Sequence, residues 1–157
     1  EDGTRLLVHA ERAEAAMEGA AEALGGPEGL TGQIRIGAPD GCANYLLPQF
    51  GSRPVEQFGL MMLDTKYRLI RTSVVSVGTL DSSPAHPREI FREAASACAA
   101  AIVLFHNHPS GDPLPSRDDV ALTRRLVQAG EIMGIDVIDH VILADTRYFS
   151  FREAGKL

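Results

Sequence analysis

Apolar residues recur along this chain with two periods, and the switches between them lay out the elements. Residues 100–105 are an unbroken apolar run, Ala-Ala-Ile-Val-Leu-Phe. Such a run, ended by a breaker, fits a strand buried on both faces. Residues 57–63 predict another strand. A turn follows at Asp64-Thr65-Lys66-Tyr67, and residues 69–77 return as a strand rich in β-branched side chains. Residues 135–143 and 148–151 predict two more, around a turn at Asp145-Thr146-Arg147. Helical spacing governs the rest. Residues 4–24 carry Leu6, Leu7, Ala13, Met17, Ala20 and Leu24 on one stripe and stop at Gly25-Gly26-Pro27. A loop spans 29–37, and Pro39 and Asp40 suit the first turn of a short helix over 39–50. Residues 78–85 read as a loop. Pro87 then opens a helix to about Ala99, with Ile90, Phe91, Ala94, Ala95 and Cys98 on its apolar side. A further helix starts at Ser116 and ends at Gly134, with Val120, Leu122, Leu126, Val127 and Met133 inward. Strands mixed with helices around a central sheet fit an α/β or α+β fold.

Composition narrows this only slightly. At 157 residues the chain makes one domain over 35–157 with an N-terminal helical arm over 1–34. The arm packs on that domain or on a second copy in a homodimer. A hydrophobic fraction of 45% supplies a normal core. The net charge of −6 argues against a general nucleic-acid surface, although Arg outnumbers Lys and a local basic patch stays open. Cys42 and Cys98 form no motif, which points to a reducing cytoplasm. No apolar run reaches membrane-spanning length, and no signal peptide is visible. The chain begins at Glu1 without a Met and reads as a fragment of a longer protein.

The chemistry concentrates in residues 106–119, His-Asn-His-Pro-Ser-Gly-Asp-Pro-Leu-Pro-Ser-Arg-Asp-Asp. On a strand His106 and His108 point to one side and Asn107 to the other. Pro109 ends the pairing, and the Pro/Gly-rich loop to Pro115 excludes regular structure. Ser116-Arg117-Asp118-Asp119 reads as a capping box, which puts Asp119 in the first helical turn. If the loop folds back, that carboxylate reaches both imidazoles. Two histidines and one carboxylate suit a catalytic zinc, whose fourth position is left to water. Bound there, water would have its pKa lowered to about 7. The same set holds Fe(II), so iron stays open beside zinc. An isolated His-x-His is commonly ordinary strand, and Ser116 with Asp119 commonly only a cap. Their joint order, with this loop between them, carries the metal reading.

This pattern of His-x-His, seven residues, Ser, two residues and Asp resembles the JAMM motif of the MPN (JAB) metallopeptidase fold. The wording His-Asn-His-Pro-Ser-Gly-Asp-Pro resembles the RadC branch of that family. So do residues 58–69 (FGLMMLDTKYRL), 78–90 (GTLDSSPAHPREI) and 123–140 (TRRLVQAGEIMGIDVIDH). The likeness spans roughly residues 35–157. It implies a cytidine deaminase-like mixed sheet flanked by helices, with Zn2+ on His106, His108 and Asp119. It also implies hydrolysis of an amide in a peptide or protein. Such chemistry needs a proton shuttle. The resemblance gives that role to Glu56, just before an early strand, with Glu89 as runner-up. Glu89 suits a helix first turn through the dipole alone. The resemblance makes Ser116 a donor to the oxyanion. Ser110 reads as a turn residue and His86 as an N-cap or surface residue. His140 is a core histidine or a partner behind the metal site, and His9 sits on the arm. The competing reading is a non-catalytic accessory module in DNA repair or replication. RadC proteins carry a helix-hairpin-helix segment of which this chain retains at most residues 4–24, so DNA binding is unsupported. A nuclease of the HNH kind fits poorly, because those enzymes spread the three residues over a ββα unit.

Overall fold

In the computed structural model the described residues are 39–78 and 85–157. The arm expected over 1–34, with its helix and His9, lies outside them. The first element, α1 (Pro39–Leu46), buries Cys42, Ala43 and Leu46, spaced to share one helical face. The expected helix over 39–50 does not stay α-helical. At Leu47–Gly51 it widens into a π turn, where Pro48 has no N–H to give an α ladder.

A hairpin follows. Its strands are β1 (Gln57–Leu63) and β2 (Leu69–Val77), paired antiparallel. Asp64 shapes the turn: its carboxylate accepts from Lys66 N (2.8 Å), Arg68 N (3.0 Å) and Arg68 Nε (2.6 Å). Next is α2 (Pro87–Ser96), with His86 as N-cap, its Nδ1 accepting from Arg88 N at 3.2 Å. The helix stops three residues before the expected Ala99, and a turn with Cys98 at φ 52 feeds β3 (Ala101–Asn107). The crossover α3 (Arg117–Met133) leads to β4 (Asp136–Ala144), parallel to β3, and β5 (Arg147–Ser150) folds back against it.

The sheet order is β2-β1-β3-β4-β5. Every residue of β3 is buried, because the sheet is covered on both faces at its centre. On one face Phe58, Leu60, Met62, Ile102 and Leu104 pack on Ile90 and Phe91 of α2 and Leu122 and Leu126 of α3. On the other Met61, Leu63, Val103, Phe105, Val141 and Leu143 pack on Cys42, Ala43 and Leu46. This is the mixed central sheet between helices that the pattern predicts. Met133, expected inward, is 52% exposed, because the αL cap at Gly134 turns the chain away one residue later. Gly130 lets α3 sit against the following segment: a Cβ there would stand 2.6 Å from Ile135 O.

Candidate metal centre

The alternation of β3 decides what each of its terminal side chains meets. Even positions face α2 and α3, and odd positions face α1. His106 therefore points at the start of α3, where Ser116 is N-cap and Asp119 lies in the first turn. His108 stands just beyond β3, yet its N–H still bonds Leu143 O at 2.8 Å, so it keeps the strand direction and falls beside His106. The loop from Pro109 folds back. His106 Nε2 lies 2.9 Å from His108 Nε2 and 3.2 Å from Asp119 Oδ1, and His108 Nε2 lies 3.5 Å from Asp119 Oδ2. His106 is 1% exposed, whereas the His108 side chain keeps 17%, so the site opens past His108.

The donor set fits a metal ion. Ligand atoms bonded at roughly 2.0–2.1 Å in a tetrahedral zinc site stand about 3.3 Å apart, close to all three separations. His108 Nδ1 lies 2.8 Å from Asp112 O. A carbonyl only accepts, so this nitrogen donates and the neutral ring turns its Nε2 lone pair to the cluster. That lone pair faces a carboxylate and a second imidazole nitrogen. A cation or a proton must stand among them. These three residues could hold a metal ion.

Asp119 serves two purposes. Its Oδ2 accepts from Ser116 N at 2.7 Å while Ser116 Oγ accepts from Asp119 N at 3.1 Å, completing the capping box. Burial pushes its carboxyl up, but the bond from Ser116 and, when they are protonated, the two histidines beside it outweigh burial and hold it well below the carboxylate range. Its bond to Asp119 raises the pKa of His108 against the opposing effect of burial, with the Asp112 carbonyl and the charges of Asp119 and Glu56 adding to the rise.

Glu56 is thus near enough for its charge to act on the His108 imidazole, and it is exposed. Asn107 holds the segment that carries it. Pointing away from the histidines, its Oδ1 accepts from Gln57 N at 2.8 Å, and its Nδ2 donates to Arg53 O and Val55 O at 3.2 Å each. Glu89 is committed elsewhere, paired with Arg92 at 2.7 Å and Arg88 at 3.3 Å on the first turn of α2. Ser110 Oγ accepts from Asp112 N at 3.4 Å within the loop, as a turn residue does. Behind the cluster, His106 Nδ1 lies 2.8 Å from His140 Nε2, and His140 Nδ1 lies 2.6 Å from Thr123 Oγ1. His140 is fully buried, and desolvation, followed by the repulsion that a protonated His106 would exert, holds its pKa well below the usual value. Thr123 and Asn107 escaped the sequence reading. The one signal for Thr123 was a polar residue between Leu122 and Leu126, one helical turn after Asp119.

Comparison with known proteins agrees with this geometry. A family model described as RadC-like JAB domain matches residues 36–156. UPF0758 proteins of Bacillus cereus (strain B4264), Bacillus anthracis (strain A0248) and Bacillus thuringiensis subsp. konkukian (strain 97-27) are each 43% identical over 122 residues. Those residues cover 78% of this chain and 54% of the relative. The chain thus spans about half the length of the curated relatives it matches. With a family model covering most of its length and a His-His-Asp cluster formed where the motif places it, this chain belongs to the RadC family and forms its JAB domain.

Proposed function

We propose that this domain is a zinc-dependent hydrolase that cleaves an amide bond in a peptide or protein, and that it works in the cytoplasm. The observation that carries the reading is the convergence of His106 Nε2, His108 Nε2 and an Asp119 oxygen beside a solvent-open edge. When bound, zinc supplies Lewis acidity that brings the pKa of a coordinated water to about 7. The ligand set alone admits both zinc and iron, and the likeness to the JAMM metallopeptidases favours zinc. Glu56, exposed just before β1 and with its charge felt at His108, takes the proton of the attacking water and returns it to the leaving amine. Ser116 Oγ accepts from Asp119 N–H, which leaves its own proton to give. That proton goes to the carbonyl oxygen of the scissile amide as it gains negative charge.

The test joins zinc analysis of the full chain to a peptide-library cleavage screen. About one zinc per chain is expected, lost in His106→Ala and Asp119→Ala. Glu56→Gln should keep the zinc and lower cleavage by about 10²–10⁴-fold, the range of general acid–base loss. Undiminished zinc in both ligand variants would overturn the metal assignment. Normal turnover by Glu56→Gln beside a dead Glu89→Gln would move the proton shuttle to Glu89. Full zinc with no cleavage of any peptide would leave an accessory, non-catalytic role.

A further inference from the structure

Behind His106 runs a chain of hydrogen bonds whose direction can be deduced atom by atom. It begins at the main-chain carbonyl of Asp119, which can only accept. Thr123 Oγ1 lies 2.6 Å from that oxygen, so the hydroxyl proton of Thr123 is given to it. The hydroxyl then has only lone pairs left for His140 Nδ1 at 2.6 Å, and His140 must donate there. A neutral imidazole carries one N–H, so His140 Nε2 is an acceptor. Its partner at 2.8 Å, His106 Nδ1, must therefore donate. The proton of His106 is thereby held on Nδ1, and its Nε2 lone pair faces His108 and Asp119.

We propose that Thr123 and His140 form a tautomer lock that presets His106 for coordination, with both residues acting as positioning residues; the lock's purpose rests on the metal reading above. The surroundings leave no substitute for either member. His140 is 0% exposed and Thr123 2%. The Phe151 ring stacks on His140 at 5.0 Å, and Phe58 meets both His140 and His106 at 5.5 and 5.8 Å. Water that could replace the threonine hydroxyl is kept out by this packing. The lock also closes on the site itself, because Asp119 anchors it by its main chain and faces the ligands by its carboxylate. An α3 turn displaced at Asp119 would disturb both ends together. His108 has a simpler device, one bond from Nδ1 to Asp112 O on the exposed loop. The two ligands are thus preset by different means, the buried one by side chains and the exposed one by main chain.

The experiment uses the full chain labelled with ¹⁵N-histidine, stripped of metal, at mildly alkaline pH. Long-range proton–nitrogen spectra distinguish a protonated ring nitrogen from a bare one. In the unsubstituted protein His106 should show protonated Nδ1 and bare Nε2. Thr123→Val removes the hydroxyl with little change of shape and frees His140 to reverse. His106 should then show protonated Nε2, wholly or in part, and zinc affinity should fall by about 10–100-fold, as for lost partners behind metal ligands. Thr123→Ser restores the hydroxyl and should restore both readings. A protonated Nε2 in the unsubstituted protein would overturn the lock, whether or not the valine variant folds. So would unchanged His106 nitrogens and zinc affinity in a folded Thr123→Val. If His106 holds the expected tautomer and follows the variants but the protein takes up no zinc, the lock stands and the metal reading falls.

Discussion

Single residues on β3 and α3 carry separable duties, and substitution should separate them. Asn107 faces away from the histidines and ties Arg53, Val55 and Gln57 to β3 around Glu56. Asn107→Ala removes the partner of three partly buried main-chain groups, at about 0.5–1.5 kcal/mol for each bond lost. The melting temperature should drop, and cleavage should fall with the loosened Glu56, while zinc content stays near that of the parent. Loss of zinc along with the stability would show that the two faces of β3 are not independent. Ser116 should divide differently. Ser116→Ala removes the N-cap of α3, a cost of about 1 kcal/mol visible in the melt. On the mechanism proposed above it also removes the donor to the oxyanion, visible only in kcat. It should cost less activity than Glu56→Gln, and equal losses would make the serine more than a helper.

At the level of elements, two contacts govern how the pieces meet. Gly130 allows α3 to close on the segment entering β4. Helix propensity alone says that Gly130→Ala should stabilise by up to about 1 kcal/mol. The added Cβ would instead meet the Ile135 carbonyl at 2.6 Å, a main-chain atom that moves only with the strand. Overpacking of this kind costs about 1–3 kcal/mol, so net destabilisation is expected in urea unfolding; a stabilised variant would mean that α3 shifts freely. The β1–β2 turn provides a pH signature. The Arg68 side chain and its main-chain N–H, helped by the N–H of Lys66, hold Asp64 down to about 2 from 3.8 against the opposing effect of desolvation. A lowered carboxyl pKa contributes stability above its unfolded value, and that contribution is lost as pH falls through the folded one. The advantage of the parent over Asp64→Asn should thus be full above about pH 4 and vanish near pH 2. A difference independent of pH would mean that the turn does not use the charge.

For the whole domain, a metal held at this site would either support the fold or only use it. The two apolar clusters on either face of the sheet are complete without any ion. Of the three residues that could hold a metal ion, His106 and Asp119 are already held by hydrogen bonds to His140 and Ser116. Stripping zinc with a chelator should therefore leave far-ultraviolet circular dichroism nearly unchanged, with at most a modest drop in melting temperature. Collapse to a random coil would class the site with zinc fingers, where binding and folding are one event. Among the described residues no helix is long and apolar enough to cross a membrane.

Much of this domain is a local matter and could be read from the chain. The apolar run before His106, the period-2 segments and the helix signals at Pro87, Ser116 and Gly134 act through neighbours a few residues apart. Their physics is present in any short window of sequence. The same holds for the directions of His106, His108 and Asp119 taken singly, set by strand alternation and a capping box, while their meeting waited on the loop from Pro109 folding back. What tertiary structure alone decided are contacts between segments distant in the chain. Thr123 and His140 meet across 17 residues, and His106 and His140 across 34. Asn107 grips the Glu56 segment across 50 residues or more. Each of these bonds depends on which strands lie side by side and in what register, and the sheet order β2-β1-β3-β4-β5 is set by packing of both faces at once. No window of sequence contains that information, so His140 stayed undecided between core and site until the fold brought it against His106.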